Sequence, residues 1–213
     1  MAEIVYSCRD FAVAVKPYGV LSELDAEREN MICSVADTLG VAKESIFPVH
    51  RLDATTEGLT VYALTKKAAA SLSAEVAAGR LHKKYVAYIT LPCGFPESGE
   101  MRDHLLFDRR EQKSYVVSAT KKGAKEAVLT YTLAEKADYR DVTVAKAEIE
   151  LMTGRTHQIR AQFASRHAPL VGDGKYGSRL NYRHPSLFSV GLSFTYDGKE
   201  YSFSAPERAQ FFF

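Results

Sequence analysis

The chain has 213 residues, of which 46% are hydrophobic and 25% charged, with a formal net charge of +2. This composition is that of a globular protein and excludes a disordered or fibrous one; the length suits a single domain or a large and a small lobe. No apolar run approaches the roughly 18 residues of a membrane span, and Met1 to Tyr6 lack the basic flank and apolar stretch of a signal peptide. Cys8, Cys33 and Cys93 form no Cys-x-x-Cys pair, so neither a zinc site nor a disulfide framework is expected, and a reducing, cytoplasmic setting is.

Residues 3–7 and 11–15 read as two short strands, and 28–39 as a helix ending before Gly40. Gly58 to Thr65 reads as a buried strand, followed by an Ala-rich helix over Lys66 to Ala78 with Gly79 in the position a helix C-terminus favours. Tyr85 to Leu91 is another strand, and Gly94 to Gly99 a loop. Strands are predicted at 113–119, 125–135 and 140–151. In the last of these the apolar parity switches between Val144 and Ala147, which predicts a bulge there. Thr156 is the expected cap of a helix running through His167, and strands at 188–196 and 200–204 end the pattern. Strands outnumber helices and mostly follow one another directly. The expected class is therefore α+β, with a mixed, largely antiparallel sheet flanked by helices and loops.

Charge is unevenly spread. Residues 1–50 hold four Lys/Arg against eight Asp/Glu, whereas residues 151–190 hold six (Arg155, Arg160, Arg166, Lys175, Arg179, Arg183) against Asp173 alone. A basic stretch in a nearly neutral chain suits an anionic ligand such as a phosphate backbone; a solvated basic face is the plain alternative.

Four segments place polar residues where a core element ends: Lys16-Pro17-Tyr18-Gly19, His50-Arg51-Leu52-Asp53 with Thr56 and Gly58-Leu59 behind it, Lys83-Lys84-Tyr85, and Thr153-Gly154-Arg155-Thr156-His157-Gln158-Ile159-Arg160. Catalytic groups gather at such strand ends and turns. In this order and spacing, with Gly172-Asp173 and Tyr176-Gly177 following, the four segments resemble the motifs of the pseudouridine synthases related to the bacterial large-subunit ribosomal RNA enzymes of the RluA type. The resemblance runs from about Phe11 to Pro206. It departs from the usual pattern at Glu57, where relatives carry Ser, and at His184 to Leu192, which lacks the usual Leu-His-Ala. It implies one catalytic domain over 1–213 with an RNA cleft across its sheet. With the Lys-Pro segment starting at residue 16, no appended N-terminal RNA-binding domain is expected.

The resemblance also implies an isomerase acting on uridine in structured ribosomal or transfer RNA, with Asp53 as its carboxylate. Breaking the N–C glycosidic bond, rotating the base and rejoining it at C5 lets an ionised carboxylate act as a nucleophile at base or sugar, or as a base along a glycal route. Arg155 is the expected cationic partner of Asp53, with Arg160 a second candidate or a phosphate contact. Tyr85 is expected to stack on the uracil near C5. Arg51 is expected to fill the gap left by an extruded uridine. Lys16, His50 and Lys84 are further RNA-contact candidates, with Lys175, Arg179 and Arg183 on the basic segment; His157 is expected to orient its turn. No metal is expected, since His50, Asp53 and His157 show no ligand spacing, and a redox-neutral rearrangement needs no cofactor. A monomer suffices. The alternatives weighed are a non-catalytic RNA-binding protein on the same fold and a hydrolase, which would need a metal cluster or a second positioned acid.

Overall fold

The computed structural model describes residues 1–139 and 141–205; Arg140 and Pro206, which bound two of the readings above, lie outside the described residues. By their internal packing these residues divide into two compact units, one formed by Met1–Lys83 with the segment from Phe188, the other by Lys84–Leu187.

In the first unit, β1 (Glu3–Ser7), β2 (Phe11–Lys16), β4 (Glu57–Ala63) and β10 (Leu187–Tyr196) lie in that order, with the short β3 (Phe47–Pro48) on β4 and β11 (Lys199–Ser204) on β10. All these pairings are antiparallel except β4 with β10. β2 and β4 read as continuous apolar runs because both of their faces are buried. Val13, Leu59, Val61 and Ala63 pack with Ala68 and Leu72 of α2 (Lys66–Ala77). Ala14 and Tyr62 face the other way, with Met31, Ile32 and Val35 of α1 (Met31–Leu39). Burying a side chain such as Leu72 is worth about 1.5–3 kcal/mol.

Both helices begin at side-chain caps: Asn30 accepts from the Cys33 amide at 3.0 Å, and Thr65 accepts from the Ala68 amide at 3.2 Å. Gly58 is required by space. Its φ is +114°, and a Cβ there would lie 2.1 Å from the Ser189 carbonyl oxygen of β10.

In the second unit the strand order is β5 (His82–Thr90), β9 (Val142–Leu151), β8 (Lys125–Tyr139), β6 (Ser98–Asp108), β7 (Lys113–Val117), antiparallel throughout. α3 (Gln158–Ala164) covers this sheet through Ala161, which packs with Leu105, Ala127 and Tyr176. The α+β, largely antiparallel class read from the sequence is the one found.

Three local readings are corrected. The loop expected over Gly94 to Gly99 gives way at Ser98 to β6, eleven residues whose only fully buried side chains are Met101 and Leu105. The bulge sits on β8 between Leu133 and Lys136, while β9 runs in unbroken register against β5. The switch of parity in β9 instead reflects burial of the adjacent Val144 and Ala145 on opposite faces. Finally, α3 starts at Gln158, not at a Thr156 cap; the residue before it, His157, has left-handed backbone with φ +54°.

Candidate active site

The turn carrying Asp53 connects β3 to β4 and is held from the segment that follows β2. Lys16, the last residue of β2, is fully buried. Its ammonium donates to the carbonyls of Pro17 (2.8 Å), Val20 (2.8 Å) and Ala54 (3.3 Å). The Gly19 amide donates to the same Ala54 carbonyl at 2.8 Å, and the Thr56 amide closes the turn onto the Asp53 carbonyl at 2.9 Å. Burial pushes the Lys16 ammonium down to about 8, against the attraction of Glu57 and then Asp53. Lys16 is therefore a buried strut, not the backbone-phosphate contact expected of it. Glu57 supplies negative charge that favours the ammonium.

Ser22 was not singled out by the sequence, because nothing local marks it. Its buried hydroxyl donates to the Leu52 carbonyl and accepts from the Leu52 amide, both at 2.9 Å. His50 ties the other side of the turn to β4, its Nε2 accepting from the Val61 amide at 3.4 Å. Burial, then the charge of Lys83, pushes this imidazole down to about 3 against an opposing backbone contact from Arg51. Both ring nitrogens of His50 point inward, Nε2 to the Val61 amide and Nδ1 buried, so they are turned away from the RNA contact expected of this residue. Arg51 by contrast is exposed, its Nη1 2.9 Å from Glu23 Oε2. The turn thus presents a half-buried Asp53 and an exposed Arg51 on a backbone fixed from within.

The second unit carries the other predicted residues. Tyr85 lies on β5 opposite Ile149 and is 5% exposed. Neighbouring Lys84 is exposed and pairs with Glu150 at 3.2 Å. Arg155 sits in the exposed turn between β9 and α3, its amide donating to Gln158 Oε1 (3.0 Å) and its Nε to the Glu126 carbonyl (2.8 Å). That turn is braced twice. Thr153 Oγ1 donates to Gln158 Oε1 at 2.8 Å, and Ser114 Oγ to the Thr156 carbonyl at 2.6 Å. The Tyr176 hydroxyl lies 3.1 Å from His157 Nδ1 and accepts from the Ser114 amide at 2.8 Å, which ties His157 to Tyr176.

Arg160 is not the phosphate contact expected of it. Its guanidinium is 4% exposed, forms a two-pronged pair with fully buried Asp173 (2.6 and 2.7 Å) and lies 4.8 Å over the Tyr176 ring. Such a fork is committed to the fold and leaves no face for phosphate. Lys175, Arg179 and Arg183 remain exposed. Among the described residues no group of three or more His, Cys, Asp or Glu side chains is gathered as a metal ion would need, and no helix is long and apolar enough to cross a membrane.

Comparison with known proteins identifies the family. The family model described as RNA pseudouridylate synthase matches residues 10–165. The tRNA pseudouridine synthase C of Vibrio cholerae is 30% identical over 194 residues, covering 86% of this chain and 77% of the relative. The ribosomal large subunit pseudouridine synthase D of Pseudomonas aeruginosa is 34% identical over 198 residues, covering 89% of this chain and 57% of the relative. Among solved structures, human RNA Pseudouridylate Synthase Domain Containing 1 has the same fold, with a TM-score of 0.80 at 22% identity over 97% of this chain and 83% of that one. With the motifs in order, the Asp53 turn built as a rigid support and the family model spanning both, the chain belongs to the RNA pseudouridylate synthase family.

Proposed function

We propose that Asp53 is the carboxylate with which this RNA pseudouridine synthase isomerises uridine. The observation that carries the assignment is the build of its turn. A fully buried lysine, a buried serine and a neutral histidine fix the backbone on both sides of Asp53, while the carboxyl-bearing residue itself stays half-exposed. Preorganising one acid so tightly is what chemistry on a bound base requires, since a misplacement of about 1 Å costs on the order of 10²-fold in rate.

In the reaction the N1–C1′ bond of uridine breaks, the uracil turns, and C5 bonds to C1′ while its proton leaves. N1 takes up a proton in place of the one C5 gives up, so the product is an isomer of the substrate and no oxidant or reductant is needed. Asp53 serves as the anion that attacks or deprotonates during the first of these steps. We assign Tyr85 and Arg155 to the same reaction, Tyr85 beside the uracil and Arg155 as a fixed cation. Arg51, exposed and paired with the exposed Glu23, swings into a duplex when the target uridine is extruded. Lys84, Lys175, Arg179 and Arg183 supply exposed charge for phosphate. The substrate is structured transfer or ribosomal RNA, met in the cytoplasm by a monomer.

Mapping pseudouridine across total RNA of a strain lacking the gene tests this reading. Specific uridines should lose the modification and regain it with the wild-type gene, but not with Asp53→Asn at equal expression. Restoration by the asparagine variant would overturn the assignment of Asp53.

A further inference from the structure

We infer that Ser22 is a positioning residue for Asp53, setting the geometry of the catalytic turn through the backbone of Leu52. The inference rests on the assignment of Asp53 above.

One hydroxyl, on a residue 3% exposed, accepts from the Leu52 amide and donates to the Leu52 carbonyl, both at 2.9 Å, across 30 residues of sequence. The Leu52 amide belongs to the peptide plane shared with Arg51, and the Leu52 carbonyl to the plane shared with Asp53. A single side chain therefore fixes both planes that lead into Asp53, in the way a neighbouring strand would. Ser22 is itself held, because its carbonyl accepts from the Tyr62 hydroxyl of β4 at 3.3 Å. Leu52 is 4% exposed, and the direction in which Asp53 leaves the turn is set by its backbone.

Removing the hydroxyl leaves a buried donor and a buried acceptor without partners at the residue before the carboxylate, and the two planes relax. A merely structural serine would lower stability alone. A positioning serine lowers the rate of the chemical step in folded protein, with the RNA bound as before.

The test uses the full chain and, as probe, total RNA labelled with [5-³H]uridine from a strain lacking the gene. Tritium is released when C5 loses its hydrogen. Ser22→Ala, assayed well below its melting temperature with enzyme in excess, should release tritium about 10- to 100-fold more slowly. Its affinity for the same RNA should stay within twofold. Ser22→Thr, which keeps the hydroxyl, should recover most of the rate. Hydrogen exchange at the Leu52 amide should quicken in the alanine variant while core amides of β2 and β4 stay protected. If Ser22→Ala does not fold, Ser22→Cys, of similar volume but with a weak hydrogen-bonding thiol, takes its place with the same expectation. A wild-type rate in the alanine or cysteine variant would overturn the inference, as would a loss that threonine leaves unrepaired. Asp53→Asn is run alongside: full activity in that variant would instead fault the assignment of Asp53.

Discussion

The two turns that bear the family's motifs bury charge in opposite ways. In the first unit, the Asp53 turn is supported by the Lys16 ammonium, whose hydrogen bonds go to three backbone carbonyls while Glu57 and Asp53 act on it as negative charges. In the second, the Arg155 turn leads into a helix whose Arg160 is locked on buried Asp173 and stacked on Tyr176. Carbonyl dipoles leave much of the desolvation uncompensated, so the lysine is pushed down to about 8. A permanently charged guanidinium matched by a full carboxylate gives a rigid pair whose removal is costly. One support titrates near working pH, and the other is a fixed rivet.

The comparison is broken most severely at the rivet. Arg160→Met strands Asp173 as an unpaired buried charge and should cost about 3–5 kcal/mol of stability, read as a shift of the denaturation midpoint at unchanged slope. A loss below about 1 kcal/mol, the value of an exposed pair, would show that water reaches Asp173.

The lysine sharpens the contrast through pH. Its folded value of about 8 lies below its ordinary 10.5, so between these values the unfolded chain binds more protons than the folded one. Stability contributed by this group therefore rises with pH across that window, by on the order of 3 kcal/mol. Unfolding of wild type and Lys16→Met from pH 7 to 10.5 should diverge accordingly, wild type gaining on the variant. Parallel curves would mean that Lys16 titrates as an ordinary lysine.

The exposed cations give the smallest effect. Replacing Lys175, Arg179 and Arg183 together by Gln should flatten the dependence of log affinity on log salt by about one to two units, at roughly 0.7 per phosphate contact. An unchanged slope with wild-type affinity would mark an ordinary solvated face and direct attention to Arg80, Lys83 and Lys84.

The same contrast explains what was legible in the sequence. β2 and β4 were readable because two-sided burial writes itself as an apolar run from Phe11 to Val15 and from Leu59 to Ala63. β6 was not, because only Met101 and Leu105 of its eleven residues are fully buried, and Ser98-Gly99 imitates a loop. The Asp53 turn was legible because His50 to Asp53 lie together in sequence. Residue type announces charge but not burial, so Lys16 and Arg160 read as phosphate contacts until their partners at Ala54 and Asp173 came into view. Ser22 carries no local signal, since its partner lies 30 residues away and is backbone, which every residue possesses.

All of these supports matter to function only if Asp53 performs the chemistry. The most direct measurement is single-turnover tritium release from [5-³H]uridine-labelled RNA by purified Asp53→Asn, alongside its affinity for the same RNA. The variant keeps the shape of the side chain and removes its charge. Release should fall by at least about 10³-fold while affinity stays within about tenfold, a difference of about 1.4 kcal/mol. Release within tenfold of wild type, from folded protein bound to the same RNA, would contradict the account.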